Sequence, residues 1–469
     1  MLESKWPLQT LNNLQADEGK AIAIGPFGSK MKSDCYVPDG VPVIRGTNIS
    51  NTKTFDGDFV YITEEKADEL HGCNVFAGDL VFPHRGAIGE VAVVPDDGVE
   101  RYVLSSSLMK LTCDTGKADP YFLFYYFRSY YGREEILRFA STVGTPGIGQ
   151  PLSSLRQMRV PLPPVEEQRA IASILGALDD KIELNRRMNA TLESLARAIF
   201  KSWFVDFDPV RINAARGNAG QMPASSQALA THDPKVLDLF PSTFQDSELG
   251  PIPEGWSVEP VGKHVEIKHG YAFKGKFFSK EPTVDVLLTP GNFAIGGGFK
   301  GDKLKYYQGP VEKEYILSPG DLLVTMTDLS KAGDTLGYPA FVPESSKHRY
   351  LHNQRLGRVF INDDSPVGVA FIHESFRTSR YRSHVLGTAS GSTVKHSSPT
   401  RIRDHEIAVA TPEIHATFEA RVWPLIEAIN RNDREDMRLS AIRDTLLPQL
   451  LSGELPVPAA LTRAEEALA

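Results

Sequence analysis

Two stretches of this chain carry apolar residues in alternating steps of four and three. From Ile171 the steps meet Ile171, Leu175, Leu178, Ile182, Asn185, Asn189, Leu192, Ala196, Ile199 and Trp203. From Phe418 they meet Phe418, Val422, Leu425, Ile429, Asn432, Asp436, Leu439, Arg443, Leu446 and Leu450. Eight of the first ten and seven of the second ten are apolar, and both stripes place a polar pair at the fifth and sixth steps. This spacing predicts two long helices with a coiled-coil seam, and the match between two narrow stripes favours their pairing over each helix packing alone. A polar pair in mid-seam costs stability and fixes register. Antiparallel pairing with flush ends sets Asn185 against Asp436 and Asn189 against Asn432. Parallel pairing also sets polar against polar, so the seam by itself leaves the direction open.

Elsewhere the pattern is short and β-like. AIAIGPFG, VPVIRG, DLVFP, GEVAVVP and YVLSSSLMKL read as strands cut by Gly, Pro and Asp turns. A helix is predicted from Pro120 to about Ala140, with Asp119 as N-cap and Pro120 at the first helical position. Its run of rings from Tyr121 to Phe127 reads as core. The order then returns about 247 residues later: Trp256 answers Trp6, LSPGDLLV answers FAGDLVF, and NQRLGRV answers SSSLMKL. Ser365-Pro366 answers Asp119-Pro120, so a second helix is expected from about Pro366 to Leu386. Residues 209–250, rich in Ala, Gly, Ser, Asn and Gln, read as a linker with a short helix near Lys235 to Phe240. The class is therefore α+β: two similar mixed α/β modules joined by two long helices.

Bulk composition limits the partners. No run approaches the roughly 20 apolar residues of a membrane helix, and the N-terminal residues lack a signal-peptide core, so the expected place is the cytoplasm. Cys35, Cys73 and Cys113 are scattered without metal spacing and read as reduced thiols. The formal net charge of −8 argues against indiscriminate polyanion binding. Its distribution changes the picture, because residues 260–411 carry 20 basic and 15 acidic side chains while residues 1–162 carry 16 and 20. Only the second module is basic.

The segment PLPPVEEQRAIASILGALDDKIELNRRMNATLESLARAIFKSWFVDFDPV (Pro161 to Val210) resembles the central conserved region of specificity subunits of type I restriction–modification systems. GPFGSKMKSDCYVPDGVPVIRGTNI is similar to the opening of that family's target recognition domain, and SAIRDTLLPQLLSGEL to the end of its distal conserved region. The resemblance implies target recognition domains at 1–163 and 251–411, a central helix at 164–208, the linker at 209–250, a distal helix at 412–455 and a tail at 456–469. It further implies an antiparallel, pseudo-two-fold spine and a non-catalytic reader of double-stranded DNA. Each recognition domain would read half of a bipartite site, and the helices would set the gap and dock two methyltransferase subunits. Two motor-nuclease restriction subunits complete the implied assembly. S-adenosylmethionine, ATP and Mg belong to those partners, leaving this chain without a cofactor or metal. In the second module TMTDLSKAGDTLG and RYLHNQRLGRV depart from the family's commoner wording, as expected where a different half-site is read.

Catalytic motifs are wanting. The Pro-Pro at Pro163-Pro164 lacks the flanking groups of an adenine methyltransferase loop. No phosphate-binding GxxxxGK[ST] loop occurs. His348 and His352 lie four apart without a third ligand, and Gly296-Gly297-Gly298 reads as a hairpin turn. Candidate DNA contacts fall in the polar loops: Ser29, Lys30, Arg45, Asn48, Arg85 and Thr145 in the first module. In the second they are Lys274, Lys276, Asn292, Lys331, Arg355, Thr393, Lys395 and His396. Arg and Asn suit base edges, whereas Lys, Ser and Thr suit phosphate. Two other readings stay open at this level, a self-sufficient DNA modification enzyme and a paired scaffold for protein or glycan.

Overall fold

The computed structural model describes the chain apart from residues 1–3, 18, 28–29, 51–52, 142–146, 218–233, 302 and 469. It divides into two compact units, one of Met1–Asn185 with Glu435–Ala469, the other Arg186–Arg434. The central helix, Val165–Phe204, and the distal helix, Pro412–Ser452, each contribute to both.

In the first unit β1 (Leu8–Thr10) pairs with β12 (Arg159–Pro161), which closes the module on itself. One four-stranded sheet has the order β2 (Ile22–Ile24), β9 (Leu108–Leu111), β6 (Leu80–Pro83), β7 (Ala92–Val93). The other has the order β4 (Val60–Ile62), β3 (Val41–Ile44), β8 (Tyr102–Leu104), β5 (Asn74–Val75), with β3 and β8 parallel. A hairpin, β10 (Ala140–Ser141) with β11 (Gly147–Ile148), completes it.

The second unit repeats this plan. A small hairpin, β13 (Phe244–Gln245) with β14 (Ile252–Pro253), precedes β15 (Ser257–Pro260), which pairs with β26 (Glu406–Val409) as β1 does with β12. One sheet runs β16 (Val265–His269), β24 (Leu356–Ile361), β20 (Leu322–Thr325), β22 (Pro339–Phe341). The other runs β17 (Phe278–Ser279), β19 (Tyr306–Tyr307), β18 (Asp285–Leu288), β23 (Arg349–His352), again with one parallel pair, β18 and β23. Finally β21 (Thr327–Asp328) pairs with β25 (Lys395–His396).

The repeated Gly-Asp wording has a physical reason. Gly78 and Gly320 adopt positive φ, and the following aspartates turn back to accept the backbone N–H of Phe76 and Ser318. Each aspartate also holds a cation from the neighbouring strand: Lys110 lies 3.5 Å from Asp79, and Arg358 lies 2.7 Å from Asp321. A carboxylate, buried at Asp79 and half-buried at Asp321, is thereby compensated in the same way twice.

Three expectations need correction. The ring-rich helix is two helices, Pro120–Arg128 and Tyr130–Leu137, because Ser129 leaves helical geometry and caps the second through Gly132 N–H. Its six residues from Phe122 to Phe127 are buried, as a core reading requires. In the second module the helix begins at Val369, not Pro366, and breaks before Ser379. Ser365 spends its hydroxyl on Val367 N–H, and the distal helix supplies the cap instead, as the Glu419 carboxylate accepts Ala370 and Phe371 N–H. Lastly, 209–250 is not all linker. Asp208–Gly217 is helical, and Val210, Ile212, Val236, Leu237 and Phe240 are buried, most of them in the cluster that holds Trp256. The expected short helix is Pro234–Leu237, and the tail forms a helix, Val457–Leu468, that buries Ala460, Ala464 and Ala467.

The long helices run antiparallel in each unit. In the first, Asp179 meets Arg443 and Asn185 meets Asp436; in the second, Asn189 meets Asn432 and Phe200 packs on Phe418. No helix among the described residues is long and apolar enough to cross a membrane.

Candidate nucleic-acid interface

In each module three loops are drawn together at one end of a sheet by backbone contacts. In the first, Gly25 N–H donates to Leu108 O, and its missing side chain leaves room for the Ser105 carbonyl. His84 N–H donates to Ser107 O, Ile148 N–H donates to His84 O, and Arg85 bridges Gly147. His84 is buried, and its ring Nε2 lies 3.0 Å from Ser106 O. Desolvation holds the His84 imidazole below its usual range, so it braces the loop as a neutral group.

The second module is built likewise. Gly270 lies against the His352 and Asn353 carbonyls, where a Cβ would clash, and Tyr271 N–H donates to His352 O. Met326 N–H donates to Arg355 O, Ser397 N–H donates to Met326 O, and Thr327 bridges His396. The segments carrying Lys274, Arg355, Thr327, Lys395 and His396 therefore converge, although they lie up to 122 residues apart.

Arg85, Lys274, Lys276, Lys331, Arg355, Thr393 and His396 are exposed, as is Lys30. Lys395 is half-buried on β25, and the His396 ring Nδ1 lies 3.2 Å from Thr327 Oγ1. Lys276 sits over the Phe277 ring at 4.9 Å. Ser29 and Thr145 lie outside the described residues.

Asn48 and Asn292 are corrections. Both are buried, at 1% and 0% exposure. Each side-chain oxygen accepts a backbone N–H three residues earlier, from Arg45 and Thr289, and each amide donates to carbonyls farther along, Asp56 and Asp58 or Lys300 and Lys303. Every polar atom is spent on the turn, so neither is available to a base edge. Arg45, half-buried, donates to Asp58 O and braces the same turn.

Sequence reading missed Lys305. It is exposed, lies 3.9 Å from the Phe278 ring centroid, and is held below the usual lysine range by desolvation and then by the charge of Arg355. Strand pairing makes that neighbourhood, so no local spacing announces it.

The helix-pairing residues are placed as follows. Ile171, Leu175, Leu178, Ile182, Asn185, Asn189, Phe418, Val422, Asn432 and Leu439 are buried, while Leu192, Leu425, Ile429 and Asp436 are half-buried. No cluster of His, Cys, Asp or Glu that could hold a metal ion occurs among the described residues. His352 instead places its ring Nε2 3.0 Å from Leu356 O.

Residues 28–194 match the family model of the type I restriction modification DNA specificity domain. The chain is similar to type I specificity subunits. It is 28% identical over 410 residues to the type I restriction enzyme HindI specificity subunit of Haemophilus influenzae, covering 81% of this chain and 86% of that one. It is 23% identical over 464 residues to the MjaIX specificity subunit of Methanocaldococcus jannaschii, covering 94% and 92%. Among solved structures it resembles the S subunit of a type I restriction–modification system from M. genitalium, with a TM-score of 0.55 and 15% identity over 95% of this chain and 96% of that one. That likeness bears on the fold, two mixed domains joined by long helices.

Proposed function

We propose that this chain is a specificity subunit that reads a bipartite site on double-stranded DNA, each module contacting one half and the helices setting the gap. The observation that carries the reading is the repeated convergence of three loops at one sheet end. That place bears Lys30 and Arg85 in one module, and Lys274, Arg355, Lys395 and His396 in the other. Lysines there hold phosphate, while arginine can read guanine edges.

The spine would dock two methyltransferase subunits, which carry S-adenosylmethionine and methylate adenine. Two motor-nuclease restriction subunits would bring ATP and Mg. Met188 and Leu195, 42% and 44% exposed on the central helix, line up with Thr191 and Ala198 at helical spacing and support a helix-docking face. The free thiols of Cys35, Cys73 and Cys113 fit a reducing cytoplasm.

The test is a module exchange. Replacing residues 260–411 by the corresponding module of a relative, and mapping methylated adenines with the methyltransferase co-expressed, should change one half of the target and keep the gap. Both halves changing together, or methyl transfer by this chain alone, would refute the reading.

A further inference from the structure

The stretch TMTDLSKAGDTLG, where the second module departs from its family's wording, forms a loop held in one shape. Asp328 is 5% exposed; its carboxylate accepts Ser330 N–H at 2.7 Å, Thr335 Oγ1–H at 2.7 Å and Thr335 N–H. From outside, the Arg382 guanidinium donates to the Gly333 and Leu336 carbonyls and lies over the Tyr338 ring at 4.6 Å. Leu336 is fully buried and anchors the far end. Side chains on the near end are thus presented on a fixed backbone, with little ordering left to do on binding.

At that near end stands Leu329, 67% exposed, although the loop is well anchored and the core lies close by. Lys331, exposed, is two residues on, and Asp328 pairs in register with Lys395 of β25, beside exposed His396. In the first module the place after Arg85 is taken by Gly86, Ala87 and Ile88, with no exposed large apolar side chain. An apolar tip flanked by Lys331 and by Lys395 suits a surface whose rim is phosphate and whose floor offers one apolar group. In the major groove that group is the thymine C5-methyl.

Resting on the reading that this module contacts DNA, we infer that Leu329 is a base-reading residue, packing its side chain on the methyl of one thymine in the second half-site. Lys331 and Lys395 hold the phosphates on either side. Arg382 and Asp328 are positioning residues that act through the loop.

The experiment uses the full chain with its methyltransferase and duplexes carrying the mapped target, in which each second-half thymine in turn is replaced by deoxyuridine. One replacement should weaken binding about fourfold, the worth of one buried methyl. The same replacement should be silent for Leu329→Ala. Leu329→Ala should weaken the thymine duplex by that factor without changing the salt dependence, and Leu329→Met should retain the thymine preference. A deoxyuridine effect undiminished in Leu329→Ala, or no sensitive thymine at all, overturns the inference while leaving two-module reading in place. Failure of the wild-type complex to prefer its target overturns both.

Discussion

Asn432 donates its side-chain amide to the side-chain oxygen of Asn189 across the helix seam at 2.8 Å, both residues being 8% exposed. Asn189 in turn donates to Asp433 at 2.8 Å. A slip of one turn in either direction breaks this pair and sets one of the two amides against an apolar partner, Leu192 or Ile429. Asn432→Leu should therefore cost about 1–3 kcal/mol, because it strands the Asn189 oxygen. The double variant Asn189→Leu/Asn432→Leu should recover most of that stability while weakening register. Urea unfolding midpoints check this, and a double variant no more stable than the single would count against a buried polar layer.

The second polar layer should be asymmetric. Asp179, 7% exposed, accepts from Arg443 at 2.6 Å and from Tyr125 at 2.9 Å, with Arg128 at 3.5 Å. Asp179→Ala leaves two half-buried guanidinium groups facing one another, an expected loss of about 3–5 kcal/mol. Arg443→Ala leaves the carboxylate still served by Tyr125 and Arg128, so about 2 kcal/mol is expected. The reverse ordering in thermal unfolding would contradict this geometry.

Acid should destabilise the second unit. Burial lowers His352 and His415 to about 4 and His405 to about 3, from an ordinary histidine value near 6.5. Above pH 6.5 these rings are neutral folded or unfolded and impose no penalty. As pH falls below 6.5 only the unfolded chain takes up the protons, so stability declines by up to about 1.4 kcal/mol per pH unit per histidine. The decline levels off near the folded values. His415 Nε2 accepts Ala410 N–H, while in the first unit Gln168 Oε1, at the repeated position, accepts Asp119 N–H. His415→Gln should keep that bond and remove one proton from the slope, as unfolding followed from pH 7 to 4.5 would reveal.

Contacts to DNA should separate by salt. Lys395→Ala should weaken binding by the methyltransferase complex uniformly across sequences, lowering the salt slope by about one. His396→Ala frees Thr327 Oγ1 and should impair target preference as well. Substitutions within residues 218–233 should do neither. Equal effects at all three places would remove the case for the β25 loop.

Much of the architecture was written in local pattern. The two 4-3-4-3 stripes and the repeated Gly-Asp turns needed no partner to be legible, because helical periodicity and positive-φ turns are properties of neighbouring residues. The resemblance supplied the direction that the seam alone left open. Only tertiary structure could break the ring-rich helix at Ser129 or move the second cap from Ser365 to Glu419, 54 residues away. It likewise buried Asn48 and Asn292, which composition alone cannot tell from base-reading amides. Lys305 feels the charge of Arg355, and Asp328, next to Leu329, pairs in register with Lys395, through strand pairing across long separations. What the chain determined by itself was its elements and their order. Which polar groups are spent inside and which are left facing outward was decided by packing, because that depends on partners distant in sequence.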